Sequence, residues 1–336
     1  EGEDYFEDDG VERRNYHFRC KVHVRDDNVV VDLSGSDPQA RGPINVTYVA
    51  TSAACCAAVL QAIGARDVPI NKGSFTPIKV VAPPGTVANP VFPAPSVAGN
   101  TEGQPRIIAT ISRALAKAIP DRVGASEGGT ASNILMGGVH PDTGEFWTHY
   151  ELDGCGWGGR LGSDGNNAQC AAHASTVRAT PIEVFESRFP LRVERYALRP
   201  DSGGPGKWRG GLGIIRELVV TADAVIVSAL TDRTEEGAWG LRGGKRGAPV
   251  GIYVKRKADK AFRTFTDVFG TVSPTKFVNI RLVRGDRLLV HSPGGGGYGD
   301  PKRRDQKAIE ADLADGFVTN ASRQIATATK TRRRST

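Results

Sequence analysis

Four consecutive glycines, Gly294 to Gly297 in the stretch HSPGGGGYGDP (291–301), restrict this chain more than any other feature. A segment without side chains adds nothing to a hydrophobic core. It serves either a close approach of backbones or a loop that wraps a phosphate with its N–H groups. The phosphate reading requires Gly-x-x-x-x-Gly-Lys-Ser/Thr, in which the lysine reaches the phosphates and the hydroxyl holds magnesium. No lysine follows these glycines. A second stretch, DSGGPGKW (201–208), does contain Gly206-Lys207, but Asp201 replaces the first glycine and Trp208 the hydroxyl. Neither stretch is a P-loop, so the sequence predicts a tight backbone crossing at a strand end, with some positive φ angles among the glycines. Tyr298 and Pro301 would fix its exit, and an anion-binding nest of bare N–H groups is the competing role.

Glycine is abundant throughout, 41 of 336 residues, roughly 12% against a usual value of about 7%. It lacks the three-residue repeat of collagen. The 39% hydrophobic content suffices for a buried core. The net charge of +7 is unevenly placed: the first fourteen residues carry seven acids, whereas Lys330, Arg332, Arg333 and Arg334 form a basic end. This is not the footprint of a nucleic-acid surface. Five cysteines without a C-x-x-C pair match neither a disulfide framework nor a structural zinc site, which points to a reducing, cytoplasmic setting. No apolar run reaches eighteen residues, so no membrane association is expected. The chain opens on EGEDYFEDDG without methionine, which reads as part of a longer subunit.

The pattern predicts an α+β fold, a large β-rich body of mixed and antiparallel strands with a few packed helices. In YHFRCKVHVRDDNVVVDLS (16–34), Phe18, Cys20, Val22 and Val24 alternate with His17, Arg19, Lys21 and His23, and Asp26-Asp27-Asn28 supplies a turn. This is a β-hairpin with both histidines on its wet face. Residues 45–63 read as a small-residue helix ended by Gly64, with Cys55 and Cys56 as packing residues pointing about 100° apart. Thr101 and Gln104 have the spacing of a capping box, and Ile108, Ile111, Leu115 and Ala118 form one stripe of the following helix. Strands are expected in NILMGGV (133–139), EFWTHYEL (145–152), PLRVERYAL (190–198), GIIRELVV (213–220), AVIVSAL (224–230), GIYVKR (251–256) and RLLVHS (287–292). Residues 1–300 would form the core, 301–318 a C-terminal helix, and 319–336 a loose basic tail.

Polar chemistry is densest in GASEGGTASN (124–133), HPDTGEFWTHYELDGCGWGG (140–159) and SDGNNAQCAAH (163–173). His149, Glu151 and Asp164 are the candidate catalytic groups, able to move protons or orient water. Asn71, Asn100, Glu127 and Asn166 are the candidate substrate-binding groups, each able to hydrogen-bond a polar ligand. Two readings stay open. The cluster lines a site, or Asp142 and Asp164 make ordinary turns and His149 and Glu151 share the exposed face of a strand. No residue set has metal-ligand spacing, so no metal ligand is assigned.

Five glycine- and proline-punctuated stretches follow one another in an order that resembles the hydantoinase B/oxoprolinase family. They are SGSDPQARGPIN (34–45), PINKGSFTPIKVVAPPGTVANP (69–90), DSGGPGKWRGGLG (201–213), GLRGGKRGAPVG (240–251) and HSPGGGGYGDPKRRD (291–305). The resemblance covers residues 1 to about 318 and corresponds to the C-terminal half to two thirds of such a subunit. It implies a soluble hetero-oligomer in which a hydantoinase A-like partner binds ATP and magnesium. The family's metal-binding histidine and acidic residues lie upstream of the segment matched here, so any divalent metal is expected there. The ending DGFVTNASRQIATATK (315–330) departs from the family pattern.

Members open cyclic amides such as hydantoins, 5-oxoproline or lactams with ATP cleavage, and relatives carboxylate ketones such as acetone. In both, phosphorylating a carbonyl oxygen yields a more reactive imidate or enol phosphate. Three functions are compatible with the sequence: a cyclic-amide hydrolase subunit, a ketone carboxylase subunit, and a non-catalytic scaffold for the ATP-using subunit.

Overall fold

The computed structural model describes residues 1–64 and 69–320, which form two compact units, Glu1–Gly124 and a second from Ala125 onward. The expected basic tail lies outside the described residues from 321 on.

In the first unit, β1 (Gly2–Phe6), β2 (Tyr16–Arg25), β3 (Asn28–Asp32) and β4 (Ile78–Val81) form a sheet in that order. All pairings are antiparallel except β3–β4. The predicted hairpin is β2–β3, its turn carried by Asp26 at φ 49°. Tyr16, Phe18 and Cys20 face inward, but the alternation fades at the hairpin tip, where Val24 is exposed. Helix α1 (Tyr48–Ile63) ends at Gly64 in the left-handed region, φ 66°, as the sequence predicts. Helix α2 spans Lys72–Phe75. Helix α3 (Gln104–Leu115) packs on α1, β1 and β2. The capping box is absent from its start: a π-helical turn, Gly99–Gly103, feeds directly into α3, and Thr101 lies inside that turn. Gly99 and Gly103 let this turn pack closely, since Cβ atoms there would come within 2.5 Å of the Asn45 carbonyl and 2.2 Å of Val46. Buried Asn45 cross-ties this region, donating to the carbonyls of Ala40, Gly42 and Pro95 and accepting from Ala40 N–H.

The second unit contains two antiparallel sheets. The strands are β5 (Asn133–Val139), β6 (Phe146–Leu152), β7 (Leu191–Leu198), β8 (Ile214–Val220), β9 (Val225–Leu230), β10 (Gly251–Lys255), β11 (Arg263–Thr264), β12 (Lys276–Leu282) and β13 (Arg287–His291). One sheet has the order β11-β10-β13-β8-β7 and the other β12-β9-β5-β6. They share a core of Ile134, Met136, Trp147, Leu218, Val227, Ile252 and Val290, closed by Phe185 of α4 (Ile182–Arg188) and Phe265 of α5 (Phe265–Phe269). Helix α6 (Gln306–Ala314) follows, capped by Asp305. All seven predicted strands of this unit form. Strand β12 has no clear signal in the sequence because Lys276, Asn279 and Arg281 interrupt its apolar run. Lys276 is buried there in an ion pair with Asp232.

The glycine run is the axis of a bundle of extended segments. Its hydrogen bonds have a three-residue period. The carbonyls of Pro293 and Gly296 accept from Gly156 and Gly159, the N–H groups of Gly294 and Gly297 donate to Ala248 and Lys245, and those of Gly295 and Tyr298 donate to Gly211 and Trp208. Three residues per turn is the polyproline II repeat, which satisfies its backbone only laterally. Each glycine touches a neighbouring backbone: a Cβ at Gly294, Gly295, Gly296 or Gly297 would lie 1.8–2.2 Å from the carbonyl oxygen of Ser202, Trp157, Trp239 or Pro205. The crossing is as crowded as predicted, but the positive φ is at Gly299 (75°) and not among Gly294 to Gly297. Their glycine requirement is steric rather than conformational.

Gly295→Ala is therefore expected to destabilise the chain by about 3 kcal/mol or more, the upper end of the usual range for overpacking. Gly64→Ala, with open space around it and only a left-handed φ to strain, should cost about 1 kcal/mol. Urea unfolding of both variants tests this ordering, and equal losses would contradict the steric account.

Candidate functional site

The second unit holds three separate polar groupings. Strand β6 places His149 and Glu151 on one face by its two-residue period, and Asp153 continues the line. That face is the inner one: Glu151 and Asp153 are buried, and the His149 ring packs against Phe185 and Phe189. The exposed-face reading thus gives way to a buried network. His149 Nε2 and Glu151 Oε2 are 3.0 Å apart, Arg216 of β8 reaches the same Glu151 oxygen at 3.2 Å, and its guanidinium donates to Asp153 Oδ1 at 2.8 Å. Tyr196 stacks on the guanidinium. Burial would raise the Glu151 pKa, but the His149 hydrogen bond and Arg216 outweigh it and hold it below its ordinary value. Asp153 goes the other way: burial pushes it up to about 6 against the opposing Arg216 charge.

Asp164 belongs to a second grouping. Arg304 grips both its oxygens at 2.7–2.8 Å and also binds Asp312 of α6, to which Arg209 donates as well. Burial raises the Asp164 pKa less than these arginines lower it. The network secures α6 to the bundle. Neighbouring Asn166 is exposed and donates to Gln169. In the first unit, Asn71 caps α2 through Gly73 N–H, and Asn100 is exposed on the π-helical turn.

Glu127 is the most unusual of the predicted residues. Its side chain is buried. Oε2 accepts from Ala172 N–H at 2.8 Å, while Oε1 is buried without a hydrogen-bond partner. Burial drives its pKa up to about 7, against the Ala172 hydrogen bond and the Arg233 charge. Arg233 donates to Ser126 and lies so close over Gly129 that a Cβ there would come within 2.5 Å of Nε. Two buried non-glycine residues in this region are left-handed, Ser132 at φ 50° and Arg233 at φ 73°. Such conformations cost of order 1–3 kcal/mol each and concentrate at functional sites. A carboxyl titrating near neutrality can both give and take a proton. Glu127 is therefore the candidate functional group, with Arg233 as its charge partner.

Sequence reasoning misses Asp153, Arg216, Arg233 and Arg304. The first two carried a signal: Asp153 extends the two-residue period of His149 and Glu151, and Arg216 occupies an apolar strand. Among the described residues, no cluster of three or more histidine, cysteine or acidic side chains could hold a metal ion. No helix among them is long and apolar enough to cross a membrane. The glycine run does not fit a nucleotide phosphate either, because the N–H groups of Gly294 to Gly297 are all donated to protein carbonyls.

The model of the Hydantoinase B/oxoprolinase family matches residues 1–301. The chain belongs to this family. Within it, the B component of a D-/L-hydantoinase assigned in Pseudomonas sp. (strain NS671) is 33% identical over 321 residues, 94% of this chain and 52% of that protein. The crystal structure of ATP-dependent caprolactamase from Pseudomonas jessenii superposes with a TM-score of 0.78 at 25% identity, covering 92% of this chain and 52% of that one. Acetone carboxylase in its nucleotide-free structure gives a TM-score of 0.77 at 19% identity, over 97% of this chain and 48% of its own, a likeness of fold. This hydantoinase B/oxoprolinase chain thus spans about half the length of these relatives.

Two outcomes are expected from these geometries. Arg216→Ala leaves two buried carboxylates without their guanidinium and should cost about 3–5 kcal/mol in chemical unfolding. Glu127 binds its proton more tightly in the folded state, about 7 against an ordinary 4.5. Its stabilising share is therefore full below about pH 4.5 and lost as pH rises through 7. Glu127→Gln should remove a loss on the order of 2–3 kcal/mol between pH 5 and 8. Unfolding free energies across that range test the sign, and an unchanged slope would contradict it.

Proposed function

We propose that this chain is part of the subunit of an ATP-dependent cyclic-amide hydrolase that works with a hydantoinase A-like, ATP-using partner. The observation that carries the reading is the family match over residues 1–301, and the likeness to ATP-dependent caprolactamase supports it. The saturated glycine N–H groups support assigning ATP and its magnesium to the partner. In the reaction, the γ-phosphoryl group passes to the amide oxygen and water adds to the carbon. The C–N bond then breaks if the nitrogen is protonated, leaving an acyl phosphate that water hydrolyses to carboxylate and phosphate. We assign that proton to Glu127, whose carboxyl is partly protonated near neutral pH. His149, Glu151 and Asp164 are assigned to holding the framework of the second unit, and Asn166 to a polar contact at its surface.

The test is the complete enzyme with its partner subunit, supplied with ATP and a panel of hydantoin, 5-oxoproline, lactams and acetone, with and without bicarbonate. Ring opening that depends on ATP but not on bicarbonate is expected. Glu127→Gln should lower its rate about 100-fold while the variant remains folded. Turnover of acetone alone, and only with bicarbonate, would replace this reading with a carboxylase. Full activity of Glu127→Gln would remove the proton assignment.

A further inference from the structure

We infer that Arg195, Arg199, Tyr253 and His291 form a site for a phosphate group, on the face of the sheet β11-β10-β13-β8-β7 that is turned away from the core. Leu218, Ile252 and Val290 lie on the core side of this sheet. The two-residue period therefore turns Glu217, Tyr253 and His291 to the other side. His291 pairs in register with Gly251 and with Ile215, and Ile215 pairs with Ala197. One row along the same face stand Tyr253, Leu289, Glu217 and Arg195. Gly251 has no side chain, and the Tyr253 ring uses that space: a Cβ at Gly251 would lie 2.4 Å from the Tyr253 hydroxyl oxygen. Folded back in this way, the ring meets His291 edge-on, with centroids 5.6 Å apart. Arg199, just beyond β7, reaches the same end of the sheet. Its Nη1 donates there to the carbonyls of Pro249 and Ser292 at 2.6 and 3.1 Å.

What distinguishes this cluster is positive charge without a counter-charge. Arg106, Arg209, Arg216 and Arg304 each have a carboxylate within 3.3 Å. Among the described residues, no acid pairs with Arg195 or Arg199. Glu217, which faces Arg195 in register, is taken by Arg287 at 2.7 Å. Arg199 is half-buried, and burial lowers its pKa. A guanidinium withdrawn from water without a partner ion calls for an anion. His291 responds to both arginines: burial, then Arg199 and Arg195, push its pKa down to about 4. At neutral pH the ring is therefore uncharged and offers one N–H, beside the Tyr253 hydroxyl and the remaining N–H groups of the two guanidiniums. These donors come from β7, β10 and β13, and so from different directions. Such an arrangement suits a tetrahedral oxyanion better than a planar carboxylate.

The site is independent of the Glu127 assignment, and its test needs no turnover. In the complete subunit with isotopically labelled histidines, the His291 resonance is the one lost in His291→Gln. Inorganic phosphate should shift that resonance saturably, chloride at equal ionic strength should not, and AMP, which carries the same group, should act as phosphate does. The charged groups that face His291 are Arg195 and Arg199, Glu217 on β8, Lys255 on β10 and Arg287 on its own strand, with Tyr253 as the neighbouring phenol. An anion held among them favours the imidazolium, so sulfate, whose charge is constant over the range, should raise the His291 pKa by about 1 or more. Arg195→Gln should weaken phosphate about tenfold. Arg195 is exposed, so the melting temperature should be unchanged. A shift given equally by chloride, a response to AMP alone, or a phosphate affinity indifferent to Arg195→Gln would each overturn the inference.

Discussion

The second unit depends on backbone meeting backbone. Around Gly294 to Gly297 the usual packing of side chains is replaced by lateral N–H···O bonds between extended segments, each neighbour engaged once every three residues. Any Cβ on the axis would overlap a carbonyl oxygen, and collagen is subject to the same constraint at its own axis. This accounts for glycine recurring far along the chain, at Gly156, Gly204 and Gly211 as well as in the run. These positions make mutual contacts, so the segments near 157, 204, 210, 245 and 295 form one construction. It also closes the question of phosphate binding, because an amide already donating to a carbonyl cannot serve an anion.

The bundle sets where the polar groups lie. Pro293 and Gly296 hold the segment after β6, which fixes the 154–159 stretch beside the loop that carries Glu127. Charge is then managed in contrasting ways. The Arg216 and Arg304 networks pair their carboxylates, and paired buried ions of this kind mainly hold geometry. Glu127 keeps an oxygen without a partner and a raised pKa. A buried polar atom left unsatisfied is costly enough to call for a reason, and the proposed proton transfer would be one. The two left-handed residues nearby, Ser132 and Arg233, place strain in the same region.

Much was legible in the sequence because it is written in local periods and punctuation. The two-residue alternation located the hairpin β2–β3, short apolar runs between turn signals located seven strands of the second unit, and Gly64 marked the end of α1. The failure of both glycine-lysine stretches to match a P-loop, and the five ordered motifs of the family, were equally readable from residue order. Where local signals were mixed they misled. Lys276, Asn279 and Arg281 hid β12, and Thr101-Glu-Gly-Gln104 had the spacing of a cap but runs from a π-helical turn, packed closely on Asn45 and Val46, straight into α3.

Only tertiary structure decided which face of β6 is buried, since alternation gives a period but not its phase, and the phase depends on what packs against the sheet. It separated Asp164 from His149 and Glu151 by supplying arginines distant in sequence, Arg304 and Arg216, whose charges choose among acids only once the chain is folded. It likewise set Glu127 apart from the other candidates. A glutamate between glycines has no distinguishing mark in a sequence; burial, one hydrogen bond where two oxygens could accept more, and a neighbouring guanidinium are properties of the folded chain alone.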